Sequence, residues 1–263
     1  MCGITGELRF DARPADLEAV ARMAEVLAPR GPDDQGIHGD GPAALGHRRL
    51  AIIDLSPRGH QPMVDPGTGN AIVFNGTIYN YPELREELRA RGHVFVSGGD
   101  TEVILKAYAQ WGEDCLERLH GMFAFGLWDP RREVLLLARD RMGIKPLYYT
   151  EDASRLRFAS SPQALLAGVG VDTALDSVAL HHQLTLHAVV PAPRTILRGV
   201  RKVPPAHALT ISLDGRIRER RYWRLDARRP AQPRTEAQWT EAVHDALRRS
   251  VERRLRIADV PVG

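Results

Sequence analysis

The sequence predicts an α+β protein in which sheets and helices form separate layers. Compact apolar runs rich in β formers come in blocks. Helical stretches fall between those blocks rather than after each strand, so the βαβ alternation of a doubly wound sheet is missing. Asp214-Gly215 lies between two apolar runs, as a hairpin turn does.

Taken in order, Ile4 to Phe10 opens the chain as a short strand. Ala15 to Leu27 has helical periodicity and stops at Pro29, and loop signals dominate from Arg30 to Pro42. Ala44 to Ile53 and Ala71 to Phe74 read as strands. Pro82 to Arg91 reads as a helix, with Pro82 in its first turn and Gly92 past its end, and Thr101 to Trp111 reads as another. Met122 to Trp128, Val134 to Ala138, Leu147 to Tyr149 and Leu156 to Ala159 are short, turn-bounded strands. His207 to Leu213 and Arg216 to Leu225 flank the Asp-Gly turn and close a first domain over residues 1–225. Residues 226–235 carry charge and two prolines and form a linker. Residues 236–263 open a second, incomplete domain, which the family resemblance given below implies is of α/β type. Within it Glu236 to Ile257 is an amphipathic helix with Trp239, Val243, Leu247, Val251 and Leu255 along one stripe. Its arginines, Arg248, Arg249, Arg253 and Arg254, read as a solvated face, in preference to a nucleic-acid patch.

A chain of 263 residues with 43% hydrophobic content can bury one sizeable core or two modest ones. It has no apolar run long enough to span a bilayer, and its first residues lack the basic and apolar regions of a signal peptide. A cytoplasmic protein without a membrane partner is expected. The net charge of +3 calls for no nucleic acid. Cys2 and Cys115 are too few for a disulfide framework and should stay reduced.

Cys2 carries the first chemical signal. Removal of Met1 would leave a thiol and a free α-amine on one Cα. With ordinary pKa values of about 7.7–8.0 for the amine and about 8.5 for the thiol, the amine can be partly neutral near neutral pH. It could then accept the thiol proton, directly or through one water. By position alone an inert cysteine is the favoured reading, because many proteins carry a small second residue. Gly3 and Gly6 permit close backbone approach by a ligand or by a neighbouring strand.

Five further motifs follow: Arg30-Gly31-Pro32-Asp33; Gly46-His47-Arg48-Arg49-Leu50; Asn75-Gly76-Thr77-Ile78-Tyr79-Asn80; Ser97-Gly98-Gly99-Asp100-Thr101-Glu102; and Arg139 to Tyr149, RDRMGIKPLYY. Together with Cys2, in order and spacing, they resemble the N-terminal glutaminase domain of glutamine-hydrolysing asparagine synthetases. That domain is a class II glutamine amidotransferase with an N-terminal-nucleophile fold, a four-layer αββα sandwich. The resemblance runs over the whole chain. It implies that Cys2 is the nucleophile and that Asn75 and the Gly76 N–H form an oxyanion hole. It also implies that Arg49 grips the α-carboxylate of glutamine and that Asp100 pairs with its α-ammonium. The implied partners are glutamine and a C-terminal synthetase domain fed with ammonia through a tunnel, with a homodimer left open. No cofactor is implied for the glutaminase step. ATP and Mg²⁺ belong to the synthetase domain.

Each residue also has a plainer reading. Asn75-Gly76 is a turn dipeptide and Asp100 a helix N-cap, while Arg30 and Asp33 fix a loop. Arg139, Asp140 and Arg141 form a structural ion-pair network near a turn. Ser97-Gly98-Gly99-Asp100 superficially resembles the family's pyrophosphate loop, but its aspartate comes one residue early. It is read as part of the glutamine pocket. The end, Asp259 to Gly263, resembles the segment before the true pyrophosphate loop. Thr77 and Ser160-Ser161-Pro162-Gln163 depart from the family pattern, leaving room for another acceptor such as an acetylated glutamine dipeptide. His181, His182 and His187 lack the companions of a metal site. Two other readings stay open: a non-catalytic domain that senses glutamine or docks a partner, and the glutaminase half of another class II amidotransferase.

Overall fold

Strands that turn apolar side chains to one face need a partner for that face, and here each sheet partners the other. The computed structural model describes residues 1–228 and 232–260. In chain order the elements are β1 (Gly3–Arg9), α1 (Leu17–Val26), β2 (Asp34–Asp40), β3 (Ala43–Arg49), β4 (Met63–Val64), β5 (Ala71–Ile78), α2 (Tyr81–Ala90), α3 (Asp100–Trp111) and α4 (Cys115–Arg118). They continue with β6 (Gly121–Asp129), β7 (Val134–Arg139), β8 (Tyr148–Glu151), β9 (Arg155–Ala159), α5 (Pro162–Ala167), α6 (Ser177–Thr185), β10 (Arg201–Lys202), β11 (His207–Ser212), β12 (Ile217–Arg221) and α7 (Glu236–Leu255). One sheet has the order β10-β8-β9-β1-β3-β2 and the other β12-β11-β7-β6-β5-β4, with every pairing antiparallel.

Three buried clusters define the layers. Between the sheets lie Ile4, Leu8 and Leu45 from one face and Val73, Leu137 and Ile211 from the other. Outside the first sheet, Met23 and Leu27 pack with Ala164 and Leu165 of α5. Outside the second, Leu84, Leu88 and Ile104 cover Phe74, Phe123 and Phe125. This is the α+β, αββα arrangement that the motifs implied. Gly6 and Gly126 make room for the Phe158 ring between the sheets, since a Cβ at either would come within 2.4 Å of it. Gly6 thus serves strand packing, and so does Gly3, whose Cβ would lie 2.6 Å from that of Leu27. The buried Glu7 carboxylate accepts from Arg157 Nε at 2.6 Å and from the Asp16 amide at 2.8 Å. A polar anchor thereby joins β1 to β9 and the start of α1.

The structure departs from the sequence expectations in several places. Residues 34–40, expected as loop, form β2, which pairs with β3 from Asp34↔Arg49 to Asp40↔Ala43. This edge strand, DQGIHGD, has no apolar alternation because one side of it faces no core. Helices α5 and α6 were not delimited in the sequence. α6 is capped by Asp176, whose carboxylate accepts the Val178 and Ala179 amides, and it carries His181 and His182. The predicted hairpin is present as β11 and β12, with Gly215 at φ +77° in its turn. The amphipathic helix is present as α7, capped by a Thr235–Gln238 box. Its stripe, Trp239, Val243, Leu247, Val251 and Leu255, is 44–64% exposed. Part of the expected linker, residues 229–231, and the end of the chain, residues 261–263, lie outside the described residues.

Candidate active site

The register of β1 against β3 places Gly3 opposite Arg48, which sets Cys2 beside the chain leaving β3. The Leu50 amide donates to Cys2 Sγ at 3.4 Å, and the thiol in turn faces the Leu50 carbonyl at 3.6 Å. Arg30 Nε donates to the Cys2 carbonyl at 3.1 Å. Asp33 accepts the Ala51 amide at 2.8 Å and donates its own amide to the Arg49 carbonyl at 2.9 Å. Arg30 and Asp33 therefore fix the loops that seat Cys2.

The opposite wall comes from β5 and the start of α3. Asn75 is 1% exposed, and its side-chain Nδ2 has no hydrogen-bond partner. A buried amide donor left unpaired is costly unless something else uses it. Asn75-Gly76 is not a turn: both residues lie within β5, opposite Ala124 and Phe123 of β6. Glycine is required there because a Cβ on Gly76 would stand 2.3 Å from the Met122 carbonyl oxygen. Asp100 does not cap α3; Gly99 occupies the cap position, and Asp100 is the first helical residue. Its buried carboxylate accepts the Ile78 amide at 2.9 Å, tying α3 to the end of β5. Arg49, also buried, donates to the Ser56 carbonyl at 3.2 Å, the Ile53 carbonyl at 3.5 Å and the Asp54 carbonyl.

All five expected site residues, Cys2, Arg49, Asn75, Gly76 and Asp100, line one pocket, together with Met1, Thr77 and Lys145. Lys145 was quoted within a motif but given no role by the sequence, and it is buried in the pocket wall. Gln61 was not singled out at all. It is buried, accepts the Phe74 amide at 2.7 Å and donates to Thr101 Oγ1 at 3.1 Å, so it joins β5 to α3 behind the pocket. A lone Gln-Pro pair in a loop carried no signal that could have found it.

The RDRMGIKPLYY segment works differently from the expected ion-pair network. No salt bridge joins Arg139, Asp140 and Arg141 among the described residues. Instead Asp140, fully buried, accepts the amides of Phe123, Met142, Ile144 and Lys145 at 2.9–3.2 Å. Arg139 donates to the carbonyls of Gly143, Lys145 and Val203, each at 2.7 Å. Two charged side chains thus hold a turn through its backbone and present Lys145 to the pocket.

The SGGD segment is likewise closed to an outside anion. Glu102 accepts the Val96 and Ser97 amides and the Ser97 hydroxyl, and Asp54 accepts the Gly98 amide at 2.6 Å. Arg85 donates to the Ser97 carbonyl at 2.7 Å and the Gly99 carbonyl at 2.6 Å. The protein's own carboxylates fill the place a phosphate would need, so these residues do not fit a nucleotide.

Burial sets the charges in the pocket. It raises the Cys2 thiol above its ordinary pKa, partly countered by the hydrogen bond with Leu50. It raises the Asp100 carboxyl to about 6, against the pull of the Ile78 amide. It lowers the Met1 amine and the Lys145 ammonium. His47, behind Asn75's strand, is pushed down to about 4 by burial, and its Nε2 lies 3.1 Å from the Phe74 carbonyl. Among the described residues no three histidine, cysteine or carboxylate side chains gather as metal ligands. No helix among them is long and apolar enough to cross a membrane.

Residues 1–223 match the family model described as a glutamine amidotransferase domain. The chain is 38% identical over 267 residues to glutamine-hydrolysing asparagine synthetase 3 of Bacillus subtilis, covering 100% of this chain and 42% of that protein. It is 40% identical over 266 residues to asparagine synthetase 1 of the same organism, covering 100% of this chain and 41% of that one. The chain thus spans about two fifths of the length of these curated relatives. Among solved structures it is similar to the glutamine phosphoribosylpyrophosphate amidotransferase of B. subtilis, with a TM-score of 0.62 and 19% identity over 84% of this chain and 49% of that one. That likeness shows a shared fold.

Proposed function

The chain belongs to the glutamine amidotransferase domain family, and from that premise we propose that its pocket hydrolyses glutamine with Cys2 as nucleophile once Met1 has been removed. One observation carries the proposal: a cysteine thiol, an unpartnered buried amide donor, an arginine and a carboxylate line one pocket. Arg49 and Asp100 suit the two ends of an α-amino acid. Arg49 spends several donors on backbone carbonyls, which fixes the guanidinium plane before substrate arrives. With the α-carbon held at that end, the side-chain amide of glutamine reaches Cys2.

In the proposed step Sγ bonds to the amide carbon while the thiol proton passes to the freed Cys2 amine. The carbonyl electron pair moves onto oxygen, where Asn75 Nδ2 and the Gly76 amide receive it. Collapse of this intermediate breaks the C–N bond. The leaving nitrogen takes the proton and departs as ammonia, leaving a γ-glutamyl thioester. Water then cleaves the thioester to glutamate and restores the thiol. Preorganised donors act here because they need no reorientation as charge develops.

Ammonia released here would serve a downstream synthetase domain that uses ATP and Mg²⁺ to activate a carboxylate. The identity to glutamine-hydrolysing asparagine synthetases supports aspartate as that acceptor. The exposed stripe of α7, in which Trp239 meets the Arg234 guanidinium, is where such a domain would continue.

Two measurements test the reading. Intact mass and N-terminal sequencing of the purified chain should show Cys2 as the first residue. Glutamate release from glutamine should disappear in Cys2→Ala and persist in Cys115→Ala. Equal release by parent and Cys2→Ala refutes the mechanism. A retained Met1 on an active chain refutes the role of the free amine.

A further inference from the structure

Helix α7 has no buried residue along its whole length, yet the chain just beyond it is attached firmly to the rim of the pocket. Ile257 is 8% exposed and sits in a crevice with Tyr79, Pro82 and Glu83, which follow the catalytic strand β5. The Arg254 guanidinium lies over the Tyr79 ring, 4.4 Å from its centroid. Two residues after Ile257, the exposed Asp259 makes a two-point backbone contact across the pocket mouth. Its carboxylate Oδ2 accepts the Asp54 amide at 2.7 Å, and its own amide donates to the Ile52 carbonyl at 2.9 Å.

The loop it holds is a wall of the pocket, to which Leu50, Ile52 and Ile53 contribute. Asp54 has φ +52°, a left-handed backbone that aspartate adopts more readily than most residues with a Cβ and that its bonds to Ser56 support. Three anchors converge on it. Arg49 donates to its carbonyl, its carboxylate accepts the Gly98 amide at 2.6 Å, and Asp259 accepts its amide. The first two anchors lead directly to the residues assigned to the two ends of glutamine, since Arg49 is one of them and Gly98 lies two residues before the other. The third leads out of the pocket to the chain after α7.

We propose that Asp259 is a positioning residue of the glutamine pocket: it locks the 52–54 wall in the shape that receives glutamine, and so couples glutamine binding to the seating of the segment after α7. This rests on the reading of the pocket as a glutamine site. Coupling of this kind is reciprocal, so glutamine in the pocket also tightens the hold on residues 254–259. In a longer protein, whatever moves that segment would change the affinity for glutamine without touching the reacting atoms.

The test compares the full 263-residue chain with Asp259→Ala and Asp259→Asn. Hydrogen exchange is followed in peptides spanning residues 50–56, glutamine affinity by calorimetry, and turnover by glutamate release. Loss of a hydrogen bond to a charged acceptor predicts that D259A exchanges the Asp54 amide about tenfold faster and binds glutamine about tenfold more weakly, in Kd and in KM. Its kcat should stay within about twofold. D259N keeps an oxygen able to accept the same amide, and should lie within about threefold of the parent in both readouts. Unchanged exchange in D259A overturns the latch. Faster exchange with unchanged affinity overturns the coupling, and a D259N as impaired as D259A overturns the acceptor role. A parent that binds glutamine without hydrolysing it sinks the catalytic reading alone. A parent that does not bind glutamine overturns both.

Discussion

Replacing Asn75 with alanine separates catalysis from stability more cleanly than any other change at this site. The Asn75 side chain is almost fully buried, and its Nδ2 finds no acceptor in the folded chain. A buried donor without a partner costs the native state about 1–3 kcal/mol. Deleting it removes that penalty, and this gain offsets the packing lost with a few atoms at the pocket surface. Net stability should therefore change by no more than about 1 kcal/mol, which for a domain of this size is about 2–4 °C in Tm. Turnover should behave very differently. Loss of one oxyanion donor typically costs about 2.7–4 kcal/mol, a fall of about 100- to 1,000-fold in kcat. KM should stay within a few fold, because in the proposed binding mode Arg49 and Asp100 hold the other end of the substrate. The assay is steady-state glutamate release, with a thermal melt on the same preparation. A kcat within threefold of the parent would refute the oxyanion assignment. A Tm fall of more than about 10 °C would show instead that Nδ2 is paired in the folded protein and that its role is structural.

Other changes test neighbouring parts of the argument. With the Asp100 carboxyl raised to about 6, its charge is present above that pH and lost as pH falls through it. The kcat/KM profile, which reports the free enzyme, should fall on the acid side near pH 6, whereas kcat should not, because bound ammonium keeps Asp100 ionised; a kcat/KM flat between pH 7 and 5 contradicts the pairing. Gly76→Ala would push a methyl to within 2.3 Å of the Met122 carbonyl, so β5 and β6 must separate locally; a loss of about 1–3 kcal/mol in a urea melt is expected, and none at all would place the strands further apart than described. Glu7→Ala leaves the buried Arg157 guanidinium with the Asp16 carboxylate at 3.7 Å and the Gly168 and Val169 carbonyls but without its close carboxylate partner, for which a loss of about 3 kcal/mol is expected. The double change of Glu7 to leucine and Arg157 to methionine should recover most of that loss, and failure to recover it argues against an unpaired charge as the cause.

The sequence made most of the fold legible wherever burial imposed a period. β1, β6, β7 and α3 fall within a few residues of their apolar runs. β2 was invisible because its seven residues, DQGIHGD, hold one apolar side chain and no alternation, and an edge strand needs only one paired neighbour. The site was legible as a set of residues, but their individual geometry was not. Asn75-Gly76 reads locally as a turn, and only the pairing with β6 converts it into a strand presenting a donor to a cavity. Asp100 reads as a helix cap. The long-range bond to Ile78 turns it inward instead. Arg139 and Asp140 look like an ion pair in sequence, yet each spends its charge on backbone groups several residues away. Tertiary contacts decided these cases, and no local pattern could have encoded them.

The charge state of the pocket explains why a terminal cysteine suits this chemistry better than an internal one. Burial raises the Cys2 thiol, so at neutral pH it rests as a thiol and needs a base at the moment of attack. The pocket offers no neutral imidazole for this, since His47 is buried behind β5 with its Nε2 against the Phe74 carbonyl. Lys145 stands in the wall with its ammonium lowered by burial. The amine at the start of the chain is lowered chiefly by burial, with Arg30 and Lys145 pushing the same way and Cys2 and Asp33 opposing. Once Met1 is gone, the Cys2 amine would occupy a deeper position near the same two cations. Burial there would push its pKa the same way, below the ordinary α-amine value of about 7.7–8.0. Burial that weakens the thiol as an acid thus strengthens the case for the amine as its base. Both shifts fit the proposed passage of the proton between groups on one residue. Replacing Lys145 with methionine should therefore raise the pH at which turnover becomes half-maximal, leaving the plateau rate within a few fold. A profile that does not move would remove Lys145 from the causes of that lowering and leave burial and Arg30.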